Sequence, residues 1–285
     1  MVRSPTARTP NERGTPQMAK AKRIKRILNC DPSRETHRDW RYDNAEEAGL
    51  LAAAPASIPN SKDLRATWWK INDQGSTGSC VGWATADSVL RWHFVKAGRL
   101  EKNDRLSPRF VWMASKETDQ FTSSPTTFIE VAGTSLKAAL DVARKFGVVR
   151  ETVLPFDSSK LFGGEEESFY ALAATMKINS YFNLTLSMGS GADEWKRWIA
   201  TKGPILTRLT VDRTWMNAKD TGGNLDVYKP ATARGGHAVA IVGYTPDRFI
   251  VRNSWGTTSW GDKGFAYASL AYAQEAFTEA YGVSI

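Results

Sequence analysis

The chain has 285 residues, 41% apolar and 24% charged, with a formal net charge of +8. Those proportions exclude a wholly disordered, collagen-like or repeat-dominated chain, and no run of about 18 apolar residues offers a membrane-spanning helix. Two cysteines, Cys30 and Cys80, and three widely spaced histidines make neither a disulfide framework nor a zinc-ligand pattern, so no cofactor and no metal are expected.

The basic charge is concentrated at one end. Residues 1–29 hold eight Lys/Arg and a single acid, Glu12, which leaves the body nearly neutral. With its Pro, Thr and Ser punctuation this stretch reads as a solvated, disordered tail. Nucleic acid is not expected as a partner except through that tail, because no aromatic residue interleaves its charges. Residues 30–57, polar-aromatic at 39–43 and alanine-rich at 52–56, read as a pre-domain segment lying across the body. The N-terminus lacks the apolar core of a secretory signal, and a reducing, cytoplasmic setting is expected.

Helical periodicity follows. Ser79 is placed to cap a helix carrying Val81, Ala84, Ser88, Val89, Trp92 and Val95, stopped by Gly98. Ser107-Pro108, cap then first-turn proline, opens a second helix toward Thr118. A third starts near Thr134 or Ser135, carries Leu136, Ala139, Leu140 and Ala143, and ends at Gly147. Glu165-Glu166-Glu167 begins a fourth, acids at the positive end of its dipole, and residues 192–201 form another. Strands come later. Residues 204–212 alternate, with Ile205, Thr207, Leu209 and Val211 on one face. His237, Val239 and Ile241 alternate up to a turn expected at Gly243-Tyr244, and residues 249–252 and 265–267 are further strands. Helices first and strands later indicate an α+β chain of two packed lobes.

Cys80 opens its helix, where free N–H groups and a partial positive charge favour thiolate over thiol. The glycines before it, Gly75 and Gly78, let a substrate backbone approach. Taken alone, an unpaired cysteine is more commonly a small buried hydrophobe. His237 heads a strand after Gly235-Gly236, and sixteen residues on Asn253 can accept its ring N–H and fix the tautomer. Gln74, six residues before Cys80, can aim an amide N–H at the same point as the Cys80 backbone N–H, as an oxyanion hole requires. Together these residues supply nucleophile, base, orienter and oxyanion donor.

At this point the chain resembles the papain-like cysteine peptidases, most closely their short bacterial members. The likeness runs from about Ile58 to Ile285. It rests on Ile58-Pro59 with Asp63-Leu64-Arg65, on Asp73-Gln74-Gly75 through Cys80, on Gly235-Gly236-His237-Ala238-Val239, and on Asn253-Ser254-Trp255-Gly256 followed by Trp260-Gly261-Asp262-Lys263-Gly264-Phe265. The resemblance implies a helical N-terminal lobe (residues 58–175) carrying the nucleophile and an antiparallel β-rich lobe (residues 176–285) carrying His and Asn, with the active-site cleft between them. It implies Cys80 as nucleophile, His237 as acid and base, Asn253 as its orienter and Gln74 as oxyanion donor. Gly78, Gly133, Thr134, Leu136, Gly236, Ala238 and Trp255 would bind substrate: Gly133-Thr134 through backbone, Leu136 and Ala238 as an apolar pocket, Trp255 as a shield over the His–Asn bond.

The implied function is hydrolysis of peptide or protein substrates through a thioester, with autoinhibition by residues 30–57. The alternatives are acyl transfer or deamidation by the same thioester, and peptide binding without cleavage. Thr77 stands where the family has a cysteine, Val81 where it has an aromatic residue, and Thr134 where it has glycine. The separation of 157 positions from Cys80 to His237 implies an insertion, placed at 119–129.

Overall fold

Hydroxyl caps, apolar periodicity and alternation set the elements, seen here in a computed structural model that describes residues 1, 25–52, 55, 57–118, 133–156, 163–186 and 192–285. The expected insertion at 119–129 and most of the basic tail lie outside the described residues. α1 (Tyr42–Glu47) and the short strand β1 (Lys62–Asp63) precede the central helix. That helix opens as α2 (Cys80–Gly82), widens into π-helical turns over Trp83–Leu90, every residue of which is buried, and closes as α3 (Arg91–Lys96). Ser79 does not cap it: its hydroxyl lies 2.6 Å from that of Thr77 instead. The next two helices are capped by serines, Ser107 as expected and Ser135 out of the two starts left open. Ser107 accepts the Phe110 amide at the start of α4 (Pro108–Thr118), and Ser135 accepts the Ala138 amide at the start of α5 (Leu136–Lys145). α6 (Glu166–Ala174) follows.

The second half is built on a sheet. Its elements are β2 (Ser180–Asn183), α7 (Asp193–Thr201), β3 (Ile205–Val211), α8 (Arg213–Met216), β4 (Asn224–Leu225), β5 (Gly235–Tyr244), β6 (Arg248–Arg252), β7 (Phe265–Ser269), α9 (Leu270–Ala276) and β8 (Phe277–Ser284). The strand order is β2-β8-β3-β5-β6-β7-β4, with β1 paired to the far end of β5. All pairings are antiparallel except β4 with β7. The turn expected at Gly243-Tyr244 is strand. Gly243 sits at a register shift between β5 and β6, and the Lys62 carbonyl lies 2.6 Å from where a Cβ would stand. The chain reverses two residues later, where the Thr245 amide reaches the Arg248 carbonyl.

Two apolar clusters result, one per lobe. β5 joins them, because both its faces are buried: Ala238, Ala240 and Val242 pack with the helices, while Val239, Ile241 and Tyr244 pack with Trp195, Trp198 and Trp215. The small side chains on one face let the central helix lie close to the sheet. At one end of this interface Arg252 of β6 is buried against Asp87 of the π-helical turns, 3.0 Å apart. Asp87 also meets Arg91 at 3.2 Å and Arg105 at 3.5 Å. Arg252 donates further to Ser88 and to the carbonyls of Trp69 and Lys70, and burial lowers its pKa to about 10.

Residues 30–57 do not behave as one segment. Tyr42, Ala45 and Leu51 belong to the apolar core of the β-rich lobe, and the Tyr42 ring meets Trp198 edge-on. Among the described residues no helix is long and apolar enough to cross a membrane.

Candidate active site

Cys80 is the first residue of the central helix and is fully buried. His237 enters from β5 of the other lobe, also fully buried. Its Nε2 lies 2.8 Å from Asn253 Oδ1, which in turn accepts the Ser254 amide at 2.8 Å. Its Nδ1 has no hydrogen-bond partner and is the ring nitrogen left for Cys80, whose titration His237 and the Ala238 amide both lower. The Cys80 thiol is held well below its ordinary value of 9.0. A hydrogen bond from Cys30 contributes most, burial opposes, and His237 adds its own bond and charge. A sulfur kept ionised beside an imidazole of fixed orientation is equipped for nucleophilic attack and proton transfer.

Gln74 is clamped rather than solvated. Its Oε1 accepts the Ser254 hydroxyl at 2.7 Å, and its Nε2 donates to the Thr77 carbonyl at 3.0 Å. One of its two amide hydrogens remains for a developing oxyanion. Trp255 covers the His237 ring at 4.8 Å between centroids. Trp215 of α8, which the sequence did not mark, meets that ring edge-on at 5.7 Å and stacks 4.4 Å from Trp260. The three indoles wall off one side of the His237–Asn253 bond.

The cleft is filled by the chain's own N-terminal segment. Cys30 donates its amide to the Gly236 carbonyl and Asp31 to the Thr134 carbonyl, each at 3.1 Å, so the segment is laced between the lobes. Gly133 and Gly236 are needed for this approach: a Cβ would stand 1.7 Å from the Asn29 carbonyl at the first and 2.1 Å from the Cys30 carbonyl at the second. Ser33 donates its amide to Glu279 and accepts the Lys137 amide. Arg208 of β3 donates to the Cys30 carbonyl at 2.9 Å. At the other end Arg26 forks onto Asp73, donates to the carbonyls of Gly75 and Trp255, and lies over the Trp255 ring. Arg26 is therefore not part of a solvated charge run; its side chain is 7% exposed.

The sequence-predicted residues converge. Gln74, Gly78, Cys80, Thr134, Leu136, Gly236, His237, Ala238, Asn253 and Trp255 are all buried with the segment in place, and Gly133 is half-buried. Leu136 and Ala238 share one apolar cluster. Sequence reading missed Cys30, Arg26, Asp73, Arg208, Glu279 and Trp215. The Lys/Arg-rich composition around Arg26 and the place of Asp73 beside Gln74 were the signals that could have found them.

Comparison with known proteins agrees with this fold. Xylellain, a cysteine protease from Xylella fastidiosa, superposes with a TM-score of 0.72 at 20% identity, covering 93% of this chain and 99% of that one. Procathepsin B S9 from Trypanosoma congolense gives 0.62 at 17% identity, covering 90% and 86%. Procathepsin L 3 of the Tenebrio molitor larval midgut gives 0.56 at 16%, covering 82% and 72%. These neighbours share the fold. Among curated proteins there is no significant match. The profile of the papain family of cysteine proteases matches residues 58–281, most of the chain, and the chain belongs to that family.

Proposed function

We propose that the protein is a self-occluded cysteine peptidase that cleaves peptide or protein substrates once residues 25–35 leave the cleft. Cys80 attacks the scissile carbonyl, and the oxyanion forms between the Gln74 amide and the Cys80 N–H. His237 gives its proton to the leaving amine, then acts as base for the water that hydrolyses the thioester. Asn253 fixes the ring, and Trp255 with Trp215 keeps water from that bond. Leu136 and Ala238 favour an apolar side chain on the residue preceding the scissile one.

The observation that carries this reading is the Cys80–His237–Asn253 chain of contacts lying beneath a peptide of the same molecule. The segment's backbone ladder to Gly236 and Thr134 occupies the groove that an extended substrate needs, so substrate and segment compete.

Cys80→Ala is expected to abolish peptide hydrolysis with an unchanged circular dichroism spectrum. Retained hydrolysis would refute the assignment. The double variant Arg26→Ala/Asp31→Pro loses the Arg26–Asp73 anchor and the Asp31–Thr134 hydrogen bond. It is expected to raise kcat/KM over the reduced full chain by about tenfold or more, each lost charge-assisted contact weighing roughly 1–3 kcal/mol. An unchanged value would remove the autoinhibitory part. Deleting residues 1–57 is a poorer test, because it strips Tyr42, Ala45 and Leu51 from the core.

A further inference from the structure

We propose that Cys30 and Cys80 are a disulfide-forming pair, a site of reversible oxidative modification that joins the occluding segment to the nucleophile. The inference deepens the self-occlusion reading: it relies on that reading for what the bond silences, and not for whether the bond forms.

Cys30 and Cys80 are the chain's only cysteines, and both are free and buried. Cys30 is held in place by its backbone on two sides, through its amide to Gly236 and its carbonyl to Arg208. Thus positioned, its side chain is buried in one cluster with Cys80, and the two thiols shift each other's titration. The thiol also donates weakly to the neighbouring Asp31 carbonyl at 3.9 Å. Hydrolysis itself needs one sulfur, so a second thiol beside it adds a capacity for redox chemistry.

The two sulfurs are unequal in the way the first step needs. Burial, then the bond to Cys80 and its charge, push the Cys30 thiol well above its ordinary value, while Cys80 is held as thiolate. Hydrogen peroxide is the oxidant class required. When the segment lifts, the Cys80 thiolate attacks one peroxide oxygen; the O–O bond breaks, hydroxide leaves, and Cys80 becomes a sulfenic acid. When the segment returns, the Cys30 sulfur attacks the Cys80 sulfur, the S–O bond breaks, and the Cys30 proton leaves with the hydroxyl as water. Both thiols are oxidised and one peroxide is reduced to water. The bond stops Cys80 from passing on to sulfinic acid, which is not reversible by thiols. A dithiol reductant restores both thiols by exchange.

The test uses the reduced full chain, treated with hydrogen peroxide, blocked with iodoacetamide and digested without reductant. Mass spectrometry is expected to find a peptide joining Cys30 to Cys80, an intact mass lowered by two hydrogens, and loss of peptidase activity that dithiothreitol restores. Cys30→Ser keeps the segment and lacks the trap. Its Cys80 is expected to accumulate sulfinic or sulfonic acid, with a loss that dithiothreitol does not restore, and Cys30→Ala is expected to behave alike. Absence of the joined peptide from the oxidised wild type, or recovery of Cys30→Ser equal to wild type, would overturn the proposal. A reduced protein inert toward peptides would sink the peptidase reading alone, because the joined peptide is read by mass.

Discussion

The two ends of the interface between the lobes are closed by different means. At one end Arg252 meets Asp87 among buried side chains, and three cations share one carboxylate. At the other end the gap is filled by residues 25–35, held by backbone hydrogen bonds, one guanidinium fork and a thiol pair. The first seal cannot open without leaving buried charge uncompensated. The second rests largely on backbone hydrogen bonds, the kind of contact any extended peptide makes. The difference teaches why the same interface can be both a permanent joint and a cleft: desolvated charge fixes geometry, whereas an amide ladder is exchangeable.

The contrast is broken most severely at the permanent end. Asp87→Ala is expected to cost about 3–5 kcal/mol, since it leaves Arg252 buried without a counter-charge, and to lower Tm by roughly 10 °C. A loss smaller than that of Arg26→Ala in urea titrations would erase the distinction. Next comes the oxyanion donor. In the opened Arg26→Ala/Asp31→Pro background, Gln74→Ala is expected to lower kcat by about 10²–10³ with little change in KM; initial-rate kinetics decide it.

The helical lobe carries its own acid sensitivity. His93 of α3 is buried, and burial lowers its pKa from 6.5 to about 4. The unfolded chain therefore binds this proton first. Its contribution to stability is full above pH 6.5 and is lost as pH falls toward 4, by about 3 kcal/mol in all. His93→Gln is expected to flatten the stability profile over that range, as read by urea midpoints against pH. An unaltered slope would remove His93 as the cause.

The smallest effect lies at the exchangeable end. Burial would raise the Asp73 pKa, but the Arg26 bond, the Gly75 amide and the Arg26 charge outweigh it and hold the carboxyl below its ordinary 3.8. A depressed carboxylate stabilises the closed segment above that ordinary value and stops doing so as pH falls through its lowered one. Proteolytic nicking of residues 25–35 is thus expected to rise in that acid range. Asp73→Asn is expected to nick faster at neutral pH and to lose the acid-dependent rise.

Much of this site was legible because its signals are local. A cysteine at a helix start, a histidine after paired glycines and an asparagine closing a strand each carry their meaning within a few residues. Ser107 reads as a cap for the same reason. What was illegible depends on residues far apart in the chain. Cys30 meaning anything to Cys80, Arg208 reaching back to Cys30, and Trp215 meeting His237 are decided by tertiary placement. Ser79 fails as a cap because Thr77 takes its hydroxyl, and Gly243 reads as a turn because a bulge and a close carbonyl also call for glycine. β8 was missed because it is buried on both faces except at Thr278 and its end, so alternation gives little signal.

The most direct test of the central claim is the rate at which iodoacetamide alkylates Cys80 at about pH 5, where an ordinary thiol is inert, in the reduced full chain and in Arg26→Ala/Asp31→Pro. A fast reaction in the variant and a slow one in the full chain are expected, because residues 25–35 cover the sulfur in the full chain, and His237 still favours its ionised form once Cys30 has moved away with them. Equal rates in the two proteins would contradict the occlusion, and no acid-range reaction in either would contradict the ionised pair.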